Sequence, residues 1–212
     1  MIIPKFCKKV MVIAAHPDDE ILGCGATMKR LTNQGHSVKT LLLGKGRPGE
    51  EPSPVKANEI VGVTDIIQKE FPDNKFDSVP LLDIVQSIEN DILSFSPDIV
   101  FTHHYNDLNV DHRITFEAVL TVCRPQKTKT GIYLFFIPSS TDYSGKEFNP
   151  IVFSDVKSTI QYKLKALEYY QSELKEYPHS RSLESVTNIS KYWGNRIGLE
   201  YVEPFVLYRG YI

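Results

Sequence analysis

Cysteine is scarce in this 212-residue chain. The three present, Cys7, Cys24 and Cys123, are odd in number and widely separated. Without a Cys-x-x-Cys pair there is no basis for a disulfide framework or a closed cysteine-rich zinc ligand set, and the usage fits a reduced compartment. Long apolar runs are missing too: none approaches the roughly 18 residues a membrane helix needs. Met1-Ile2-Ile3-Pro4-Lys5-Phe6 lacks the apolar stretch of a secretory signal, so the expectation is a cytoplasmic protein with no membrane anchor. Charge of one sign is not in surplus either. The 24 Lys and Arg nearly balance the 26 Asp and Glu, for a formal net charge of -2; a general nucleic-acid binder would show a basic stripe. Internal repeats, low-complexity tracts and linkers are all lacking.

What is present is an alternation of apolar strands and helical faces. Val10 to Ala15 reads as a buried strand, and Ile21, Cys24, Met28 and Leu31 follow at helical spacing, with Gly35 as the stop. Gly23 and Gly25, poor helix formers near that helix's start, imply a close backbone approach. Val38 to Leu43 is the next strand. Glu50 to Asn58, containing Pro52 and Pro54, reads as a loop, and Val61 to Phe71 fits either helix or strand. Leu81, Val85, Ile88 and Ile92 mark a helix closed by Ser96-Pro97, and Asp98 to Thr102 a third strand. Ile114, Ala118 and Val122 share another helical face, and Ile132 to Ile137 is a strand. Two helices follow, one marked by Val156, Ile160, Leu164 and Leu167, the other by Leu183, Val186, Ile189, Trp193 and Ile197. Glu203 to Tyr208 closes the chain as a strand. Such alternation predicts an α/β fold: a Rossmann-like doubly wound, mostly parallel sheet with helices on both faces, in a single domain over 1–212.

Open sheets of this kind bind ligands beyond the carboxyl ends of their strands. The first and third strands both run into His and Asp at that edge, as Ala15-His16-Pro17-Asp18-Asp19-Glu20 and as His103 to Arg113. His16 and Asp19 are spaced to face one ion across a strand-to-helix turn, and His112 offers an imidazole from the other strand end. Two nitrogens and one oxygen leave a fourth position for water, the pattern of a catalytic zinc site. Asp18 is then the candidate general base. The plainer reading, an Asp that merely caps the following helix, explains one acid but not the matched cluster on a second strand.

The two motifs together, with Asn109-Val110-Asp111-His112 as the second, resemble the PIG-L/LmbE-like family of zinc-dependent N-acetylglucosamine-type deacetylases. Pro97-Asp98-Ile99-Val100-Phe101-Thr102 looks like the family's approach strand and Tyr201-Val202-Glu203-Pro204-Phe205 like its closing Glu-x-Phe strand. The resemblance implies His16, Asp19 and His112 as metal ligands, Asp18 as general base and Asp111 as a supporting active-site acid. It implies Zn2+ as cofactor, with Fe2+ or another divalent ion also suited to a His2Asp set. The implied partner is a small-molecule N-acetylated sugar or sugar conjugate; self-association as a homo-oligomer is left open. Some members carry His where this chain has Asn109, whose amide donates a hydrogen bond to an oxyanion but supplies no proton. Amine protonation then falls to Asp18 or His104. Lys56-Ala57-Asn58-Glu59 matches the family's Arg-x-x-Glu helix only in part.

Further substrate-binding candidates are Asp73 in Phe71-Pro72-Asp73-Asn74, and His179 and Arg181 in a segment resembling a short-chain subset of the family. His103 and His104 adjoin at a strand end, where alternation turns only one toward the pocket. Cys24 and the Tyr169-Tyr170 pair read as packing, and Glu20 has no role beyond charge compensation at a helix N-terminus. Gly44-Lys45-Gly46-Arg47-Pro48-Gly49 matches GxGxxG literally. It follows the second strand and runs into Pro-rich sequence, where a dinucleotide fingerprint should open the first helix. A flexible loop at the site's mouth, with Arg47 facing an anionic substrate, is the better reading. The alternatives to a deacetylase are a nucleotide-dependent Rossmann-type enzyme using that loop and a catalytically silent sugar-binding homologue.

Overall fold

A computed structural model describes residues 9–46 and 53–211, so Arg47 lies outside the described residues. The elements run β1 (Lys9–Ala14), α1 (Asp19–Asn33), β2 (Ser37–Gly44), α2 (Pro54–Ile60), β3 (Asp65–Phe71), α3 (Leu81–Phe95), β4 (Ile99–His103) and α4 (Val110–Val122). They continue with β5 (Gly131–Phe135), β6 (Val152–Asp155), α5 (Ile160–Leu167), α6 (Leu183–Asn195) and β7 (Val202–Arg209). The strands form one sheet of order β3-β2-β1-β4-β5-β7-β6. From β3 to β5 the neighbours are parallel; β7 runs antiparallel to both β5 and β6. The mostly parallel, doubly wound expectation holds.

Why the layers form is visible in β1. Val10, Val12 and Ala14 pack on one face with apolar residues of α1, α2, α5 and α6. Met11, Ile13 and Ala15 pack on the other with those of α3 and α4. Side chains alternate across a strand, so a strand apolar at every position needs helices on both sides. β1 lies between β2 and β4, and the chain's winding reverses there. The β1/β4 ladder ends with Val12 opposite Phe101, and beyond that pair the two strands feed different helices. A crevice at this switch point is where such folds place ligands.

Several elements depart from expectation. Residues 54–58, read as loop, are helical: Pro54 sits in the first turn of α2, where its missing N–H costs nothing. The ambiguous 61–71 stretch resolves as strand from Asp65. β6 was not anticipated; it pairs only with β7 at the sheet edge and shows no clean alternation. Val156 precedes α5 rather than joining it, its carbonyl accepting from Thr159 and Ile160 N–H at 2.9 and 2.8 Å. Ile197 falls beyond the end of α6.

α1 is broken at Cys24, whose φ of -150° and ψ of 21° are not helical. The break frees the Leu22 carbonyl and the amides of Ala26 and Thr27, which an unbroken helix would pair i to i−4. Glu203, on β7, accepts from Ala26 N–H at 3.1 Å and Thr27 N–H at 2.7 Å. Lys163 Nζ donates to Leu22 O at 2.7 Å and to Glu203 Oε1 at 2.8 Å. Just before the break, a Cβ on Gly23 would stand 2.6 Å from the Phe135 ring. That is the close approach the glycine there implied.

Candidate metal centre and its cleft

The β1 exit is held in an unusual backbone shape. Asp18 has φ 119°, a conformation that an L residue keeps only when its surroundings fix it. Its amide donates to Glu20 Oε2 at 3.0 Å. Glu20 is buried, and its other oxygen accepts from Tyr170 OH at 2.5 Å and Asn58 Nδ2 at 2.9 Å. Asn58 in turn accepts from Thr40 Oγ1 at 2.7 Å. The acid without an assigned role is thus the hub of a buried network that clamps the turn from α2, β2 and the Glu168–Tyr170 segment. Asp19 adds a second clamp, its Oδ2 accepting from His16 N–H at 3.0 Å.

His16, Asp19 and His112 come together, with ligand atoms within 4.8 Å of one another. Asp19 Oδ2 is 3.2 Å from His16 Nδ1 and 3.2 Å from His112 Nε2. The far sides of both rings meet carboxylates. His16 Nε2 is 3.0 Å from Asp111 Oδ2, whose partner oxygen accepts from Phe76 N–H at 2.9 Å. His112 Nδ1 lies 3.0 Å from Asp107 Oδ1, too poorly aligned for a hydrogen bond. Both ring nitrogens of His16 thus face a carboxylate, Nδ1 that of Asp19 and Nε2 that of Asp111.

The donor set fits a divalent cation. Asp19 Oδ1 and His112 Nε2 are buried with no hydrogen-bond partner among the described residues. Burial depresses the basicity of both imidazoles, yet neighbouring carboxylates outweigh it. Asp111, Asp19 and Asp73 raise His16 to about 10, and Asp19 and Asp107 raise His112 to about 9. Asp19, despite burial, is held well below the usual carboxylate range by His112 and His103. The carboxylates that draw protons onto these rings would draw a cation by the same charge, and an ion bound there would displace those protons.

Beside the cluster lies a cleft lined by His16, Asp18, Asp73, Asn109, Glu173 and Arg181, among others. Burial pushes Asp18 well above its ordinary pKa, with the Arg181 guanidinium opposing. Arg181 Nη1 donates to Asp18 Oδ2 at 2.9 Å and to Glu173 Oε2 at 3.3 Å, and its Nε to Ser139 Oγ at 2.9 Å. Asn109 caps α4 through Oδ1, accepting from Asp111 N–H at 2.8 Å, while its amide donates to Asn74 Oδ1 at 3.1 Å.

Not every expected residue reaches the cleft. His104 does not line it; the ring packs against Tyr105 and Phe148, and burial lowers it to about 4. Its neighbour His103 is the one turned inward, stacked on His112, as strand alternation requires. His179 spends Nδ1 on the Arg181 amide at 3.0 Å and is not among the lining residues. Asp111 faces His16 rather than the cleft. Sequence reasoning missed Asp107, which accepts from Thr141 Oγ1 at 2.7 Å, from Asn109 N–H at 2.9 Å and from Ser140 Oγ. An acid five residues ahead of a candidate ligand His, beside a helix cap, was its signal. Glu173 had none.

The GxGxxG expectation also has a structural answer in its first residue. Gly44 donates to Ala15 O at 2.7 Å, and a Cβ there would stand 2.9 Å from that oxygen. The N-terminus of α1, where a dinucleotide pyrophosphate would rest, carries Asp18, Asp19 and Glu20, three acids that repel it.

A family model described as GlcNAc-PI de-N-acetylase matches residues 11–123, more than half of the chain. The chain belongs to the PIG-L family. Among its relatives, the uncharacterized deacetylase YaiS of Escherichia coli is 30% identical over 177 residues, covering 78% of this chain and 91% of that protein. The diacetylchitobiose deacetylase of Thermococcus kodakarensis is 27% identical over 222 residues, covering 92% and 81%. The N,N'-diacetylchitobiose deacetylase structure from Pyrococcus horikoshii superposes with a TM-score of 0.78 at 20% identity, over 96% of this chain and 84% of that one. At that identity the likeness speaks for the fold alone.

Proposed function

We propose that this PIG-L protein is a metal-dependent N-deacetylase that hydrolyses the acetamide of an N-acetylated amino sugar or sugar conjugate. One observation carries the reading: the side chains of His16, Asp19 and His112, from two strand ends, converge beside an acid, Asp18, that lines a polar cleft. The named relatives, one of which acts on diacetylchitobiose, support the substrate class.

His16, Asp19 and His112 would hold the ion. When bound there, zinc or another divalent metal supplies Lewis acidity to the acetyl oxygen and the attacking water. Asp18 takes a proton from that water as its oxygen bonds to the acetyl carbon. The same carboxyl then returns the proton to the amide nitrogen as the C–N bond breaks. Acetate and the free amine leave, and atoms balance with one water consumed. Arg181 keeps Asp18 Oδ2 fixed, leaving Oδ1 for the water. The Asn109 amide donates toward the oxyanion without supplying a proton. His104, away from the cleft, leaves amine protonation to Asp18. Asp73 and Glu173 line the side where sugar hydroxyls would be met.

The test is a panel of N-acetylated sugars, nucleotide sugars and glycoconjugates assayed for free amine at defined metal loading. Asp18→Ala should keep its metal and lose acetate release by about 10²–10⁴-fold, the range for a general base. Turnover retained in that variant removes Asp18 from the mechanism. Metal binding without turnover on any substrate points to the silent homologue.

A further inference from the structure

We propose, on the metal-site reading above, that His103 is a positioning residue for the centre, tying down the strand end that delivers His16 and giving His112 a flat surface to rest on. The need arises at the switch point. The β1/β4 ladder ends at Val12 and Phe101, so the amide of Ala15, buried beyond it, has no strand partner there. Buried amides require an acceptor. His103 Nε2 provides it at 2.8 Å, across a sequence separation of 88.

The same ring stacks on His112 with centroids 3.9 Å apart and planes 23° from parallel. Its edge meets Phe135 at 4.8 Å and 70°, and Phe135 occupies the space that Gly23 leaves open. A column therefore runs from the α1 break through Phe135 and His103 to His112. His103 touches both halves of the site: the backbone one residue before His16, and the ring of His112.

Packing alone does not account for an imidazole here. Accepting at Nε2 leaves the proton on Nδ1, which is buried with no hydrogen-bond partner among the described residues. Phenylalanine would fill the space without that unpaired group. Imidazole combines a flat stacking face with an in-plane acceptor, and the position uses both. His103, Asp107 and His112 also bring ligand atoms within 4.8 Å of one another. Asp107 already accepts from Ser140, Thr141 and Asn109, and His103 Nε2 from Ala15. The trio is a support for the His112 ligand rather than an independent ion site.

Two variants separate the two contacts. His103→Phe keeps the stack and removes the acceptor; His103→Asn keeps an acceptor and removes the stack. The probe is Co2+, titrated into metal-free protein and followed by its visible absorption, with zinc competition for affinity and thermal unfolding of the metal-free proteins in parallel. At least one variant should bind Co2+ about 10–100-fold more weakly, the range for groups that support metal ligands, with shifted bands. Loss in the Phe variant alone assigns the effect to the polar contacts of Nε2, the Ala15 bond and the approach to Asp19 Oδ2 at 3.6 Å, and loss in the Asn variant alone to the stack. Wild-type affinity and spectrum in both variants, even with lowered melting temperatures, would overturn the proposal and leave His103 a core residue. Failure of the wild-type protein to take up Co2+ or zinc overturns the metal-site reading itself.

Discussion

Glu20 shows how much one side chain can do from behind a site. Its carboxylate receives the Asp18 amide, the Tyr170 hydroxyl and the Asn58 amide, so the strained turn is held by a group outside the cleft. Removing a single donor tests the arrangement gently. Tyr170→Phe keeps the ring in the core and deletes one hydrogen bond to Glu20, whose carboxyl is pushed by burial up to about 7; the bond is worth about 0.5–3 kcal/mol across its neutral and charged forms. Urea unfolding should show that loss of stability with the m-value unchanged; a variant as stable as wild type would mean that Glu20 is held well enough by Asn58. At this scale the sequence was legible where a motif concentrates unusual chemistry, as in His16 to Glu20. It was opaque where a role depends on a partner far along the chain. Tyr170 read as packing because nothing near it announces an acid 150 residues upstream. Arg181 read as a substrate contact because its partner Asp18 lies 163 residues away.

Among the elements, α1 is the one whose interruption matters. A helix broken in its middle leaves polar backbone groups in the core, and the Lys163–Glu203 pair supplies every one of the three partners named above. Both side chains are nearly inaccessible, at 7% and 3%. Removing one partner of such a pair leaves an uncompensated buried charge, which costs about 3–5 kcal/mol. Glu203→Ala should therefore destabilise by that amount in chemical denaturation; a loss below about 1 kcal/mol, ordinary for an exposed pair, would show that solvent reaches the break. Element placement was legible wherever one residue periodicity dominated, as in β1, β4 and α3. It failed at α2, where two prolines disguised a helix that uses one of them as its first turn. It failed also at β6, whose four residues are paired to one neighbour only. The α1 break was only half legible: Gly23 and Gly25 flank it as poor helix formers, but Ile21, Cys24, Met28 and Leu31 keep helical spacing straight across it.

For the whole molecule, the proposed ion joins parts of the chain that no covalent link brings near. A ligand that binds only the folded state stabilises it by mass action, by about 2.7 kcal/mol at a hundredfold excess over Kd. Metal-free protein given zinc at that excess should melt at a higher temperature, with about one ion bound per chain as a three-ligand set implies. His16→Ala should lose most of the increment. An unchanged melting curve in the wild type would argue that the cluster holds no ion in the folded state. None of the helices among the described residues is long and apolar enough to cross a membrane. The fold class was legible at this scale because strand and helix alternate from β1 to β5. The antiparallel turn of β7 was not, since direction in a sheet depends on how the connecting segments pass over it.

The position of β1 between β2 and β4 also sets an order of events for a growing chain. β2 pairs with β1 from the next stretch of sequence, whereas β4 must return to the opposite edge from about ninety residues further on, Val10 lying beside Ile99. Closing that loop is the slower step, since distant contacts cost chain entropy before they return anything. During synthesis, then, β1 waits with one open edge and an incomplete His-Asp pair until His112 has left the ribosome. The proposed ion's pocket is assembled by the event that closes this edge of β1, so metal retention would report that the β1/β4 pairing has formed.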